Sequence, residues 1–324
     1  MITFRKTAEP QTPRTSTEKL NRKILITGGD SALARYLAHG LLDSGAQVSV
    51  QCVGAEAYHT LKENFPCVQL SPSDFRFGET LSIVSPDVIL HIPADVQRGT
   101  HNERPMLNFN RTIDKVVQLC ESAWRNAPHA HLMYMSTTDV YGECPQPKSE
   151  SSELTPVSKY GSYSVMAEQI LNDFGTYHGL RTSVLRLSST YGPGLAHGTI
   201  AELVYNLLGP QGTNMHNTFD MNSTLDIIHA GDVLQALKLI LSKDAEGVFN
   251  VASGHSMHIR ELHTHLCAIL ELNAAPRTGK PDIAEAVQQR FDIAKLIALG
   301  FEPQVPLIEG LRGYTAWWSG IKAA

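Results

Sequence analysis

Tyr160, in the stretch SKYGSYSVMAEQIL, presents a phenol on a helix-forming segment, and Ser164 follows one helical turn later on the same face. A tyrosine with an ordinary pKa of about 10 is almost wholly neutral at pH 7, with about one molecule in a thousand as phenolate. Such a group readily protonates a developing alkoxide but is a weak base for starting the oxidation of an alcohol. Ser164 is short and uncharged, so it supplies no charge to shift that balance. Lys159 is adjacent in the chain, but one residue turns it about 100° around the helix.

A second set of residues has the spacing of a phosphate cradle. ITGGDSALARYL leads from a short apolar strand through glycines into a helix, whose first N–H groups and dipole favour an anion such as a dinucleotide's pyrophosphate. Gly28 permits the close turn. Ser31 stands three residues on, where a diphosphate comes nearest, and Ala34 three further, where a small residue lets helix and strand pack closely. Asp30 or Ser31 also suits the N-cap of the helix. A carboxylate ending the second strand would bind the adenosine ribose and select NAD, but in GAQVSVQC that place falls to Cys52. Arg35, on the helix, either reaches a 2′-phosphate or faces solvent. The choice between NAD and NADP stays open.

The 324 residues suffice for a large domain with a smaller lobe, and 42% hydrophobic content fills a sizeable core. A net charge of -5 gives no basic excess to suggest nucleic acid. No apolar run approaches the ~20 residues that span a bilayer. Residues 1–22 read as a solvated tail without a signal-peptide apolar segment, a cleaved targeting segment being the alternative. Five scattered cysteines fit a reduced, cytoplasmic setting. The paired histidines of HAH and HTH are splayed by their spacing and have no accompanying carboxylate cluster, so no metal is expected.

These residues must be positioned by an alternation of strands and helices. RKILITGGD, AQVSVQCV, PCVQLS, PDVILHIPA, AHLMYMSTTDVYG and RTSVLRLSSTYGPG read as strands, with helical stretches such as MLNFNRTIDKVVQLCESAW between them. That order predicts an α/β fold, a doubly wound parallel (Rossmann) sheet. TLDIIHAGDVLQALKLIL and GVFNVAS read as strand, helix and strand returning to the sheet. The expected division is a cofactor domain over 23–187 with about 221–252, and a substrate lobe over about 188–220 and 253–324.

Nearly the whole chain after the tail resembles the extended short-chain dehydrogenase/reductases, the NAD-dependent epimerase/dehydratase family. Beyond the glycine loop, the resemblance rests on HIPA, SPSDF, MSTTDVYG, RLSSTYGPG, TLDIIHAGDV and FDIAKLIALGFEPQVPLIEGL. It implies catalytic roles for Thr137 and Tyr160. It also places Ala94 beside the cofactor, Asp74 near the adenine, and Asn108 in support of the central helix. The family's lysine one turn after the tyrosine is replaced by Ser164, so Ser164→Lys is the change expected to restore an ammonium beside the nicotinamide ribose. The resemblance pairs Thr138 and Asp139 with an Asp-Glu pair of the sugar dehydratases; Asp139 either transfers protons or caps its turn. Leu225 replaces an arginine that would hold a diphosphate, while Asp226, His229 and, loosely, Lys280 match.

The resemblance implies an NAD- or NADP-dependent oxidoreductase acting on a nucleotide-activated sugar or related carbonyl compound, with reduction favoured over epimerisation. Two further readings stand beside it. One is a lyase or isomerase using Thr137 and Asp139. The other is a non-catalytic protein binding a nucleotide or partner, because Ser31, Cys52 and Ser164 all depart from the pattern at cofactor contacts. A homodimer is expected through the helices 111–124 and 160–178, with Val116, Val117, Cys120, Ile170 and Phe174 as candidate contacts.

Overall fold

The computed structural model of the protein describes residues 19–69, 77–93, 109–143, 146–209, 220–272 and 288–322. Alternating apolar residues set the main sheet. β1 (Lys23–Thr27) sends Ile24 and Ile26 to one face and Leu25 to the other; β5 (His131–Thr137) likewise divides Met133 and Met135 from Leu132 and Tyr134. With β2 (Gln47–Cys52), β3 (Cys67–Gln69), β4 (Val88–His91), β6 (Thr182–Leu187) and β9 (Gly247–Val251) they form a seven-stranded parallel sheet. Its order is β3-β2-β1-β4-β5-β6-β9. One face packs against α1 (Ala32–Asp43), α2 (Ala55–Leu61) and α7 (Ala230–Ser242), the other against α3 (Phe77–Val84), α4 (Lys115–Asn126) and α5 (Lys159–His178). This is the doubly wound sheet expected.

The lobe is divided differently from the expectation. β7 (Ser189–Tyr191), β8 (Thr224–His229) and β10 (Ser256–His258) form a separate sheet in the order β10-β8-β7. Around it, α6 (Thr199–Leu208), α8 (Ile259–Ile269) and α10 (Leu307–Lys322) enclose a core that includes Leu203, Leu262 and Leu311. Only β9 of the expected strand–helix–strand unit joins the main sheet. β8 gives Leu225 and Ile227 to the lobe core and Ile228 to the main core, so its alternation serves two bodies at once. Conversely Phe291, Ile293, Leu296 and Phe301, flanking and within α9 (Ala294–Ala298), pack into the main core rather than the lobe.

The helix bearing Tyr160 is defined at both ends. Ser158 caps it by accepting from Gly161 N at 3.0 Å, and Gly179 ends it in the left-handed region. Its register against the sheet is held by Glu168, two turns beyond Tyr160 on the same face. Both Glu168 oxygens receive Arg186 of β6, with Nη2 to Oε2 at 2.6 Å and Nε at 3.2 and 3.1 Å. Ser136 donates to Oε1 at 2.5 Å. Arg186 Nη1 donates to the Tyr141 hydroxyl at 2.8 Å, and that hydroxyl donates to Asn250 Oδ1 at 2.6 Å. Burial opposes the charge on Arg186, but Glu168 and Tyr141 together offset it and hold the guanidinium pKa above its ordinary value.

Breaking this pair leaves a buried charge without its counterion. Glu168→Gln is expected to lose about 3–5 kcal/mol of stability by urea unfolding, while a Glu168→Met/Arg186→Met double variant regains most of that loss. Equal destabilisation in single and double variants would count against the ion pair as the anchor.

Candidate active site

The turn after β1 is pressed onto two strand ends. Gly28 has φ +87°, and a Cβ there would fall 1.8 Å from the Ile92 carbonyl oxygen beyond β4. A Cβ on Gly29 would lie 2.5 Å from Val50 Cγ1 of β2. Ser31 holds the N-cap position of α1, yet its hydroxyl makes no cap. That hydroxyl is buried and finds no hydrogen-bond partner among the described residues. Asp30 does not cap α1 either. Its carboxylate accepts from Val53 N at 2.8 Å and Gly54 N at 2.6 Å, across the turn that follows β2.

Ala34 is fully buried, as close helix–strand packing requires, and Arg35 donates from Nη1 to the Asp30 carbonyl at 2.9 Å. The Cys52 side chain is completely buried in the main core, on the strand face of Val48 and Val50, and a Cβ on Gly29 would lie 3.3 Å from its Cβ. Asp74, Ala94, Asn108 and Lys280 lie outside the described residues.

Thr137 ends β5 at the same C-terminal edge, and its Oγ1 accepts from Asp139 N at 3.1 Å. Thr138–Tyr141 form a 3-10 turn in which Asp139 is half-buried. The first turn of α5 abuts it: a Cβ on Gly161 would come within 2.6 Å of the Asp139 carbonyl oxygen. A glycine directly after Tyr160 is thus what lets the tyrosine helix approach Thr137 and Asp139, a contact visible in YGSY only once the turn is known.

Ser164 is buried beneath this contact and donates its hydroxyl to the Tyr160 carbonyl at 3.0 Å. It also hydrogen-bonds the phenol of Tyr134, which is fully buried. Burial raises the Tyr134 pKa well above its ordinary value, the nearby Tyr160 and Glu168 raise it further, and the bond to Ser164 opposes the rise. This second phenol was not among the residues singled out from sequence. Its ring stacks on His91, centroids 5.8 Å apart, and His91 Nδ1 lies 2.7 Å from Thr27 Oγ1. Burial, helped by Lys115, lowers the His91 pKa to about 3, so the imidazole is neutral.

The later motif residues tie segments together. Asp226 is completely buried and accepts from Ser253 N and Gly254 N at 2.8 and 2.9 Å; burial lifts its pKa to about 6. His229 accepts from Gly231 N and caps α7. Asp232 accepts from Gln304 N at 2.8 Å. Leu225 belongs to the lobe core, where an arginine would have to leave it. Among the described residues no cluster of three or more His, Cys, Asp or Glu is placed to hold a metal, and no helix is long and apolar enough to cross a membrane.

The model of the NAD dependent epimerase/dehydratase family matches residues 24–252. The chain belongs to that family. Among its relatives, the UDP-glucose 4-epimerase of Mycolicibacterium smegmatis is 26% identical over 303 residues, covering 89% of this chain and 96% of the relative. The dTDP-D-glucose 4,6-dehydratase of Homo sapiens is 23% identical over 322 residues, covering 92% and 90%. The structure of Thermus thermophilus UDP-glucose 4-epimerase, a complex with NAD, shares the fold with a TM-score of 0.80 at 23% identity, covering 92% of this chain and 99% of that one.

As a member of an NAD-dependent family, the chain has a glycine turn that fits a dinucleotide's phosphates. The orphaned Ser31 hydroxyl at the start of α1 is a ready donor there, beside a turn whose backbone carries no side chains at residues 28 and 29. The position of the missing lysine fits less well. The Ser164 site is already filled by the Tyr134 phenol, so the substitution expected to restore an ammonium meets a closed space. Ser164→Lys is expected to lose about 1–3 kcal/mol of stability through overpacking, and adding Tyr134→Phe to recover part of it. Thermal unfolding of the two variants provides the check; a fully stable single variant would show that the space opens.

Proposed function

We propose that the chain is an NAD-dependent oxidoreductase acting on a nucleotide-activated sugar or related carbonyl compound. Carbonyl reduction is favoured over the oxidation that begins an epimerisation. The observation that carries the reading is the approach of the Tyr160 helix to the Thr137–Asp139 turn, on the sheet edge that also bears the Gly28–Ser31 turn. Relatives named for UDP-glucose and dTDP-D-glucose support the substrate class.

In this reading the Gly28 and Gly29 backbone and the Ser31 hydroxyl hold the dinucleotide phosphates. Bound NAD supplies the acceptor or donor of a hydride. Thr137 accepts from Asp139 N through one lone pair, which leaves its proton for the reacting oxygen of the substrate. Tyr160 gives a proton to that same oxygen. Ser164 brings no positive charge to draw the phenol proton away, so donation is the easier direction for Tyr160. The half-buried Asp139 gives a lyase or isomerase reading its one specific support, a carboxylate next to Thr137.

The chain is further proposed to pair with a second copy through α4 and α5. Val117, Met166 and Tyr177 are 38%, 44% and 77% exposed there. Of the candidate contacts, Val116 and Cys120 face the core instead.

Fluorescence titration with NADH should show saturable binding, and Tyr160→Phe should leave that affinity within about twofold while lowering turnover of a UDP-keto sugar about 100-fold or more. Absence of NADH binding would eliminate the oxidoreductase reading; an undiminished Tyr160→Phe rate would make Tyr160 structural. Solution scattering at micromolar concentration is expected to return the mass of a dimer, and a monomer would remove the pairing.

A further inference from the structure

The strand end that usually presents an acid to a ribose presents none here, since Cys52 points into the core. A carboxylate nevertheless reaches that place from the opposite side. Asp30, in the glycine turn, crosses to the backbone after β2 and accepts from Val53 N at 2.8 Å and Gly54 N at 2.6 Å. Gly54 makes room for it: a Cβ there would come within 2.7 Å of Asp30 Oδ1. Each carboxylate oxygen has about two acceptor positions and uses one on the backbone, so acceptor capacity remains. The side chain is half-buried, not enclosed.

We propose that Asp30 selects the nicotinamide dinucleotide with a free ribose 2′-hydroxyl and rejects its 2′-phosphorylated counterpart. The inference rests on the cofactor reading above. A ribose hydroxyl brings a proton that the carboxylate accepts. A phosphate monoester at neutral pH brings negative charge and acceptor oxygens, so it meets like charge with little hydrogen bonding to offset it. Arg35 is the cation that would reverse the preference, but its Nη1 is tied to the carbonyl of Asp30 itself. The competing account is a purely structural Asp30. Gly54, the N-cap of α2, has no side chain to cap that helix, and the Asp30 carboxylate satisfies the helix end.

The test is fluorescence titration with NADH and NADPH of the full chain and of Asp30→Asn, Asp30→Ala and Arg35→Ala, with the melting temperature of each. The unaltered chain is expected to bind NADH at least about tenfold more tightly than NADPH. Asp30→Asn keeps the side-chain shape and Asp30→Ala removes it. Both should bring the ratio to about threefold or less, by a gain in NADPH affinity. Arg35→Ala should keep the NADH preference. Equal or tighter NADPH binding by the unaltered chain overturns the selection alone. So does a lowered melting temperature in both Asp30 variants with the ratio unchanged, which assigns Asp30 to capping. Loss of NADPH binding in Arg35→Ala, from a chain that binds it well, gives the 2′ site to Arg35 and also overturns it. Failure of both dinucleotides to bind brings down the cofactor reading and this inference with it.

Discussion

The buried pair of Glu168 and Arg186 fixes where the tyrosine helix lies on the sheet. Two nearly fully buried charges are held together by three short contacts, and Ser136, Tyr141 and Asn250 join the same network. A buried ion pair is a weak source of net stability, because desolvation opposes the attraction. Its value is geometric: α5 cannot slide or rotate without stranding a charge. That constraint sets the first turn of α5, which bears Tyr160, against the turn after β5.

The same economy of buried polar groups explains the changed surroundings of Tyr160. Ser164 donates to the Tyr160 carbonyl and is hydrogen-bonded to the Tyr134 phenol, and neither side chain carries a positive charge. A neutral buried phenol avoids the desolvation that an ammonium would have to overcome there, and Tyr134 fills the volume that a short residue at 164 leaves open. The neighbouring His91 is held neutral by burial as well.

In the glycine turn, two residues that suited a helix cap serve otherwise. Asp30 bridges to the chain beyond β2, and Ser31 is left with a buried, unpartnered hydroxyl. A buried polar group without a partner is costly, and in a native fold it points to a missing ligand or water. Farther along, Asp226, His229 and Asp232 bind the lobe, the main sheet and the start of α7 to one another. Motif residues that resemble substrate-site groups in sequence are thus structural ties in three dimensions.

The sequence alone determined the strand and helix order and the doubly wound sheet. Local periodicity and glycine placement are physical constraints that act within a few residues, so they can be read directly. It also exposed the absence of a cation at Ser164. Tertiary structure decided what replaced it, because Tyr134 and Ser164 are thirty residues apart and meet only when α5 is pinned by Glu168. It likewise decided that Cys52 faces the core, that Asp30 crosses to the second strand end, and that β8 leaves the main sheet. A side chain's face depends on which body covers it, and β8 is covered on both sides by different cores. Alternation along one strand cannot tell one covering body from another.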